Sequence, residues 1–198
     1  MPTLIWPAGL LPSAMEWGLQ ANTQSFESPL TGSVQTLELP SPRWLATLTF
    51  EHLKDSEAAT LQAFLARLRG RAGRFTLHNF ARPAPCGTAA GTPLVAGAAQ
   101  TGTSLNLDGF TAGTTLEAGD LIGVNGELKM VTALATADGA GAMAVTFEPP
   151  LRASPADNAP VTLSQPTATF MLAEDVSRWS VAPGLINSLT LSCIEVFS

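Results

Sequence analysis

The chain has 198 residues, of which 45% are hydrophobic and only 13% charged, with a formal net charge of −6. That balance excludes an intrinsically disordered chain, and the acidic sum excludes a protein that coats nucleic acid or anionic membrane through its overall charge. A chain of this length buries roughly 70% of its unfolded surface, so one domain or two small ones can hold a core without metal or disulfide staples.

The opening, MPTLIWPAGLLPSAMEWG, carries no basic segment and has Pro at positions 2, 7 and 12. Both features argue against a signal peptide. No apolar run approaches the ~20 residues that a membrane-spanning helix needs. Cys86 and Cys193 are the only cysteines. In a chain without a secretion signal they are expected to be two separate thiols, made in a reducing compartment.

Residues 43–80 contain the clearest local pattern. Trp44, Ala46, Leu48 and Phe50 alternate with Leu45, Thr47 and Thr49, the period-2 signature of a strand. A helix is predicted over 56–69. Asp55 and Ser56 offer capping oxygens, Glu57 adds charge to the first turn, and Leu61, Phe64, Leu65 and Leu68 form one apolar stripe. Gly70 is expected to take the left-handed conformation that ends the helix, with Arg67 and Arg69 facing the negative end of its dipole. Phe75, Leu77 and Asn79 then alternate as a further strand.

After Pro85 the composition changes. Residues 86–166 hold seven acidic and two basic residues, and the flanks nine and eight, with prolines at 83, 85 and 93 and again at 155, 160 and 166. Short strands are read at 104–107, 121–124, 127–134 and 144–148. Asp108-Gly109 and residues 137–141 are read as turns, and Asn125-Gly126 is the strongest hairpin signal. Four or five such strands with no helical period suggest a small β-barrel or compact sheet. Strands at 167–172 and 187–197 resume the style of the first part. Residues 1–85 and 167–198 are therefore expected to form one β-sandwich core with a single flanking helix. Residues 86–166 are expected to be an inserted, small, barrel-like β domain.

Reaction chemistry is sparse. His52 and His78 fit no ligand spacing, and HExxH, GxSxG and phosphate-loop motifs are absent. No enzyme, metal or cofactor is expected. Trp6, Trp17, Trp44 and Trp179 are widely separated and read as core or interface anchors rather than a sugar-binding platform. The one concentration of charge is Arg67, Arg69, Arg71, Arg74 and Arg82. Its first four members are the candidate subunit interface, against a solvated helix end or, less favoured, direct contact with DNA.

NTQSFESPLTGSVQTLELPSPRW (residues 22–44), the helix, and LRGRAGRFTLHNF (68–80) resemble the core of siphophage distal-tail or minor tail proteins. The likeness covers roughly 6–85 and 167–197. GTPLVAGAAQTGTSLNLDGF through FEPPLRASPADNAPVTL looks like an insertion found in such tail proteins. The resemblance implies a virion structural protein at the distal end of a phage tail, assembled in the host cytoplasm. It implies a homo-hexameric ring between the tail tube protein and the tail-tip or hub proteins, with DNA only passing through the lumen and no membrane contact. The alternatives are a tail-associated carbohydrate-binding module for host attachment, or another tail role as terminator or tube subunit.

Overall fold

A computed structural model describes residues 2–184 and 186–197. The fold is mainly β with one α-helix among the described residues, and includes a nearly closed, barrel-like sheet. The first part runs β1 (Leu4–Ile5), β2 (Ala14–Gln20), β3 (Thr23–Glu27), β4 (Val34–Glu38), β5 (Arg43–Leu53), α1 (Asp55–Leu68) and β6 (Phe75–His78). The middle holds β7 (Gly91–Val95), β8 (Gly102–Phe110), β9 (Thr115–Leu116), β10 (Leu121–Val124), β11 (Glu127–Val131), β12 (Ala135–Thr136), β13 (Met143–Leu151) and β14 (Val161–Thr162). The chain ends with β15 (Thr167–Leu172), β16 (Trp179–Ala182) and β17 (Ile186–Glu195).

Two main sheets result. The flanks make a seven-stranded sheet in the order β1-β6-β15-β17-β5-β2, with β16 beside β17. The middle makes a six-stranded sheet in the order β14-β10-β11-β13-β8-β7. β6 and β15 are antiparallel neighbours, with His78 opposite Thr167, so the chain leaves the first sheet and returns to it at adjacent positions.

The alternation in β5 buries Trp44, Ala46, Leu48 and Phe50 against α1, whose stripe of Leu61, Phe64, Leu65 and Leu68 is buried as its spacing predicts. The helix ends are set differently from the sequence reading. Lys54 is the N-cap and makes no side-chain capping bond, while Glu57 reaches back and accepts the Lys54 backbone N–H at 3.0 Å. Asp55 is already inside the helix, so neither it nor Ser56 caps it. At the other end Arg69 takes the left-handed conformation (φ 54°), and Gly70 follows it with φ 64°. Gly70 is needed for a second reason: a Cβ there would lie 2.8 Å from the Asp175 carboxylate oxygen.

In the middle, Asn125-Gly126 forms the tight hairpin turn with both residues at positive φ. Asp108-Gly109, read as a turn, instead lies inside β8, which runs on to Phe110 and pairs with β7. Gly109 (φ 78°) bends the strand where Thr92 O comes so close that a Cβ would sit 2.5 Å away. The two sheets are not independent in packing. Leu121 and Leu128 of the middle belong to the core of the first sheet, and Trp44 Nε1 donates to Leu128 O at 2.9 Å.

Candidate functional site

The arginine region is built by the end of α1 and the 3₁₀ turn Gly70–Ala72. Arg74 is committed to structure: its guanidinium donates to the carbonyls of Arg71, Ala72 and Gly73 at 2.8, 3.3 and 3.0 Å. Arg71 donates its backbone N–H to Asp175 Oδ1 at 3.0 Å, which ties the turn to the loop between β15 and β16. Arg67 and Arg69 are exposed, and no carboxylate pairs with either among the described residues. Arg67, Arg69 and Arg74 line one cleft of about 510 Å³ whose other walls are Pro2, Leu4, Ala66 and Gly73, with no acidic residue among them. Arg82 lies elsewhere and donates to Gly119 O at 2.7 Å. Of the four interface candidates, Arg67, Arg69 and Arg71 thus have side chains without a partner among the described residues, and Arg74 mainly shapes the cleft.

A second feature went unnoticed in the sequence. β3 and β4 form a two-stranded hairpin in which all ten residues are exposed, and it joins neither main sheet. It carries Phe26, Val34 and Leu37 on its strands and Leu30, 94% exposed, in its turn. A signal was present, since Phe26, Val34 and Leu37 lie in two runs of strand-like alternation flanking the turn SPLTGS. What the sequence does not carry is that these side chains lie exposed, with no cover among the described residues. β2, which leads into the hairpin, is an edge strand paired only with β5.

The third feature is a buried charged network where the two sheets meet. Lys129, fully buried, donates to Glu127 Oε2 at 2.6 Å and to Pro150 O at 2.8 Å. Arg152 pairs with Glu195 at 2.6 Å, and the other Glu195 oxygen accepts the Trp44 backbone N–H at 2.9 Å. Arg152 also donates its backbone N–H to Glu127 and lies over the Phe197 ring at 3.7 Å. Desolvation pushes the Lys129 ammonium below its usual range, and the bond to Glu127 only partly offsets this. Isolated, each charge here would be costly to bury; paired and hydrogen-bonded, they fix how the middle sheet sits on the first.

The remaining chemistry-bearing residues are dispersed. His78 is half-buried with its ring 4.5 Å from Phe80, and His52 is exposed. No group of three or more His, Cys, Asp or Glu converges as a metal site among the described residues. Both thiols are free. Cys86 is exposed, whereas burial pushes Cys193 up to about 12, so it is inert as a nucleophile near neutral pH. Trp6 and Trp44 are core residues, Trp17 packs edge-on to Phe170 and tilted against Trp44, and of the four only Trp179 is largely exposed. The tryptophans therefore do not form a common platform. No protein-family model matches the chain, and no curated protein matches it.

Proposed function

We propose that the protein is a structural virion protein of a tailed phage, a distal tail component whose copies close a ring between the tail tube and the tail tip. The observation that best supports this is the β3–β4 hairpin. Its ten exposed strand residues, Phe26, Val34 and Leu37 among them, pair only with each other and join neither main sheet among the described residues. A lone two-stranded hairpin is marginal in water, so its apolar side chains call for cover from another subunit. A contact between an arm on one copy and a different surface on the next is head-to-tail, and closed rotational symmetry keeps such contacts from running on into fibres. The resemblance of residues 22–44, the helix and 68–80 to distal-tail proteins implies a copy number of six and a place at the distal tail.

The test is native mass spectrometry of the purified chain together with antibody labelling of phage particles. The expected results are a closed oligomer of six copies and label at the distal end of the tail tube. A protein that stays monomeric at all concentrations, or that is absent from the particle, overturns the reading.

A further inference from the structure

Resting on the ring-subunit reading, we infer that the acidic face of the β3–β4 hairpin on one copy docks into the arginine cleft at the end of α1 on the next. The hairpin register sorts its side chains into two faces. Thr23 lies opposite Glu38, Ser25 opposite Thr36 and Glu27 opposite Val34, so both glutamates share one face with Val34. Phe26 and Leu37 share the other face with Gln24 and Gln35. Residues 21–42 contain no Lys, Arg or His, so neither glutamate is neutralised within its own segment. Glu27 and Glu38 sit at opposite ends of the hairpin, about 13 Å apart along the strands.

The cleft has the complementary character. Arg67 and Arg69 project from the helix end without carboxylate partners, although acids outnumber bases in the chain by 16 to 10. The ion pairs among the described residues are Lys129–Glu127 and Arg152–Glu195, both far from this end of the helix in sequence. Between the arginines, Pro2, Leu4 and Ala66 supply an apolar floor suited to Val34. Arg74, held by three carbonyls, keeps the wall of the cleft in shape before anything binds. A basic rim over an apolar floor, with no acidic residue lining it, matches a face that carries a glutamate at each end, with Val34 beside Glu27 and only Ser25 and Thr36 between. Exposed opposite charges of this kind chiefly set partner choice and encounter rate. The Phe26–Leu37 face stays free for a further contact.

The experiment is a charge exchange within the full chain, read by native mass spectrometry and sedimentation, with circular dichroism as the check on folding. Glu27→Lys with Glu38→Lys, and separately Arg67→Glu with Arg69→Glu, should each weaken association about tenfold or more. A chain carrying all four substitutions has a basic hairpin and an acidic cleft on every copy, and should associate within about threefold of the natural protein. Pair variants that assemble normally, or a fourfold variant no better than the weaker pair, overturn the docking while leaving the ring reading intact. As an independent readout, a photo-reactive phenylalanine analogue replacing Val34 should cross-link to residues 2–4 or 66–74 of a second copy. Cross-links confined to other segments of an assembled ring overturn the docking alone. A natural protein that never associates overturns the ring reading and the docking together.

Discussion

The flanking sheet and the middle sheet solve the same burial problem in different ways. The flanks use aromatic rings: Trp6 meets Phe64 at 5.4 Å, Phe64 meets Phe75 at 5.7 Å and Trp17 meets Phe170 at 5.4 Å, with α1 sealing the cluster. The middle uses mostly aliphatic side chains, Val95, Leu105, Leu107, Ile122, Val124 and Val145 among them, with Phe110 and Phe147. The surfaces differ more than the cores. Of twelve exposed large hydrophobic residues among the described residues, eleven lie in the flanks and one, Leu134, in the middle. The middle sheet thus covers its apolar side chains with its own strands, whereas the flanks leave an arm and edges with apolar side chains exposed. If the protein assembles as proposed, the flanks are the part that offers the contacts, and the middle meets them through a few well-defined contacts.

Breaking those contacts has the largest expected effect on the folded chain. Lys129→Ala strands Glu127 as a buried, unpaired carboxylate, and the expected loss is about 3–5 kcal/mol in urea unfolding. Replacing Glu127 with Leu and Lys129 with Met together removes both charges and should recover most of that loss. Equal destabilisation by the single and the double variant would show that packing, not charge pairing, holds β11 and the end of β13 together at this seam.

This junction is also where the sequence was least legible. The strand alternation at Trp44–Phe50, the α1 stripe, the Asn125-Gly126 turn and the change in composition after Pro85 are local signals, and each matches an element in the structure. Glu127 and Lys129 carry the opposite kind of signal. Charges two apart beside a tight turn look like the solvent face of a hairpin, yet both are buried, bonded to each other, to Pro150 O and to the Arg152 N–H, residues more than twenty positions away. The helix ends were misread for a similar reason. Asp55 and Ser56 are good capping residues, but Glu57 reaching back to Lys54 placed the start one residue earlier. Of the four candidate arginines, sequence proximity grouped all together. The structure assigns Arg74 to the turn carbonyls, and the exposure of the whole β3–β4 hairpin is a tertiary property that the local alternation of its two strands does not carry.

The comparison sharpens next at α1, which seals the flanking sheet and has no counterpart in the middle. Leu65→Ala should cost about 2–5 kcal/mol, since its side chain lies among the buried stripe. Thr60 is exposed, and its hydroxyl bonds only to Ser56 O within the helix. Thr60→Ala should stay within about 0.5 kcal/mol by the same measurement. Similar losses at the two positions would mean that the helix does not seal this core.

The smallest effect concerns His78, at the point where the chain leaves the flanking sheet for the middle one. It pairs across to Thr167, lies against Phe80, and helps line a cleft with Ile5, Trp6, Leu10, Thr76 and Gln165, none of which carries a carboxylate. Burial therefore acts without a compensating charge, and it lowers the imidazole below its usual 6.5. The unfolded chain then takes up a proton at a pH where the folded chain still refuses it. By linkage, stability contributed by the neutral ring is present above about pH 6.5 and is lost as the pH falls through the lower folded value. Urea midpoints measured from pH 7.5 down to 5 should decline, and His78→Gln should flatten that decline. A slope unchanged by His78→Gln would show that the neutral His78 ring, on the strand where the chain leaves the flanking sheet, does not carry the acid sensitivity of the fold.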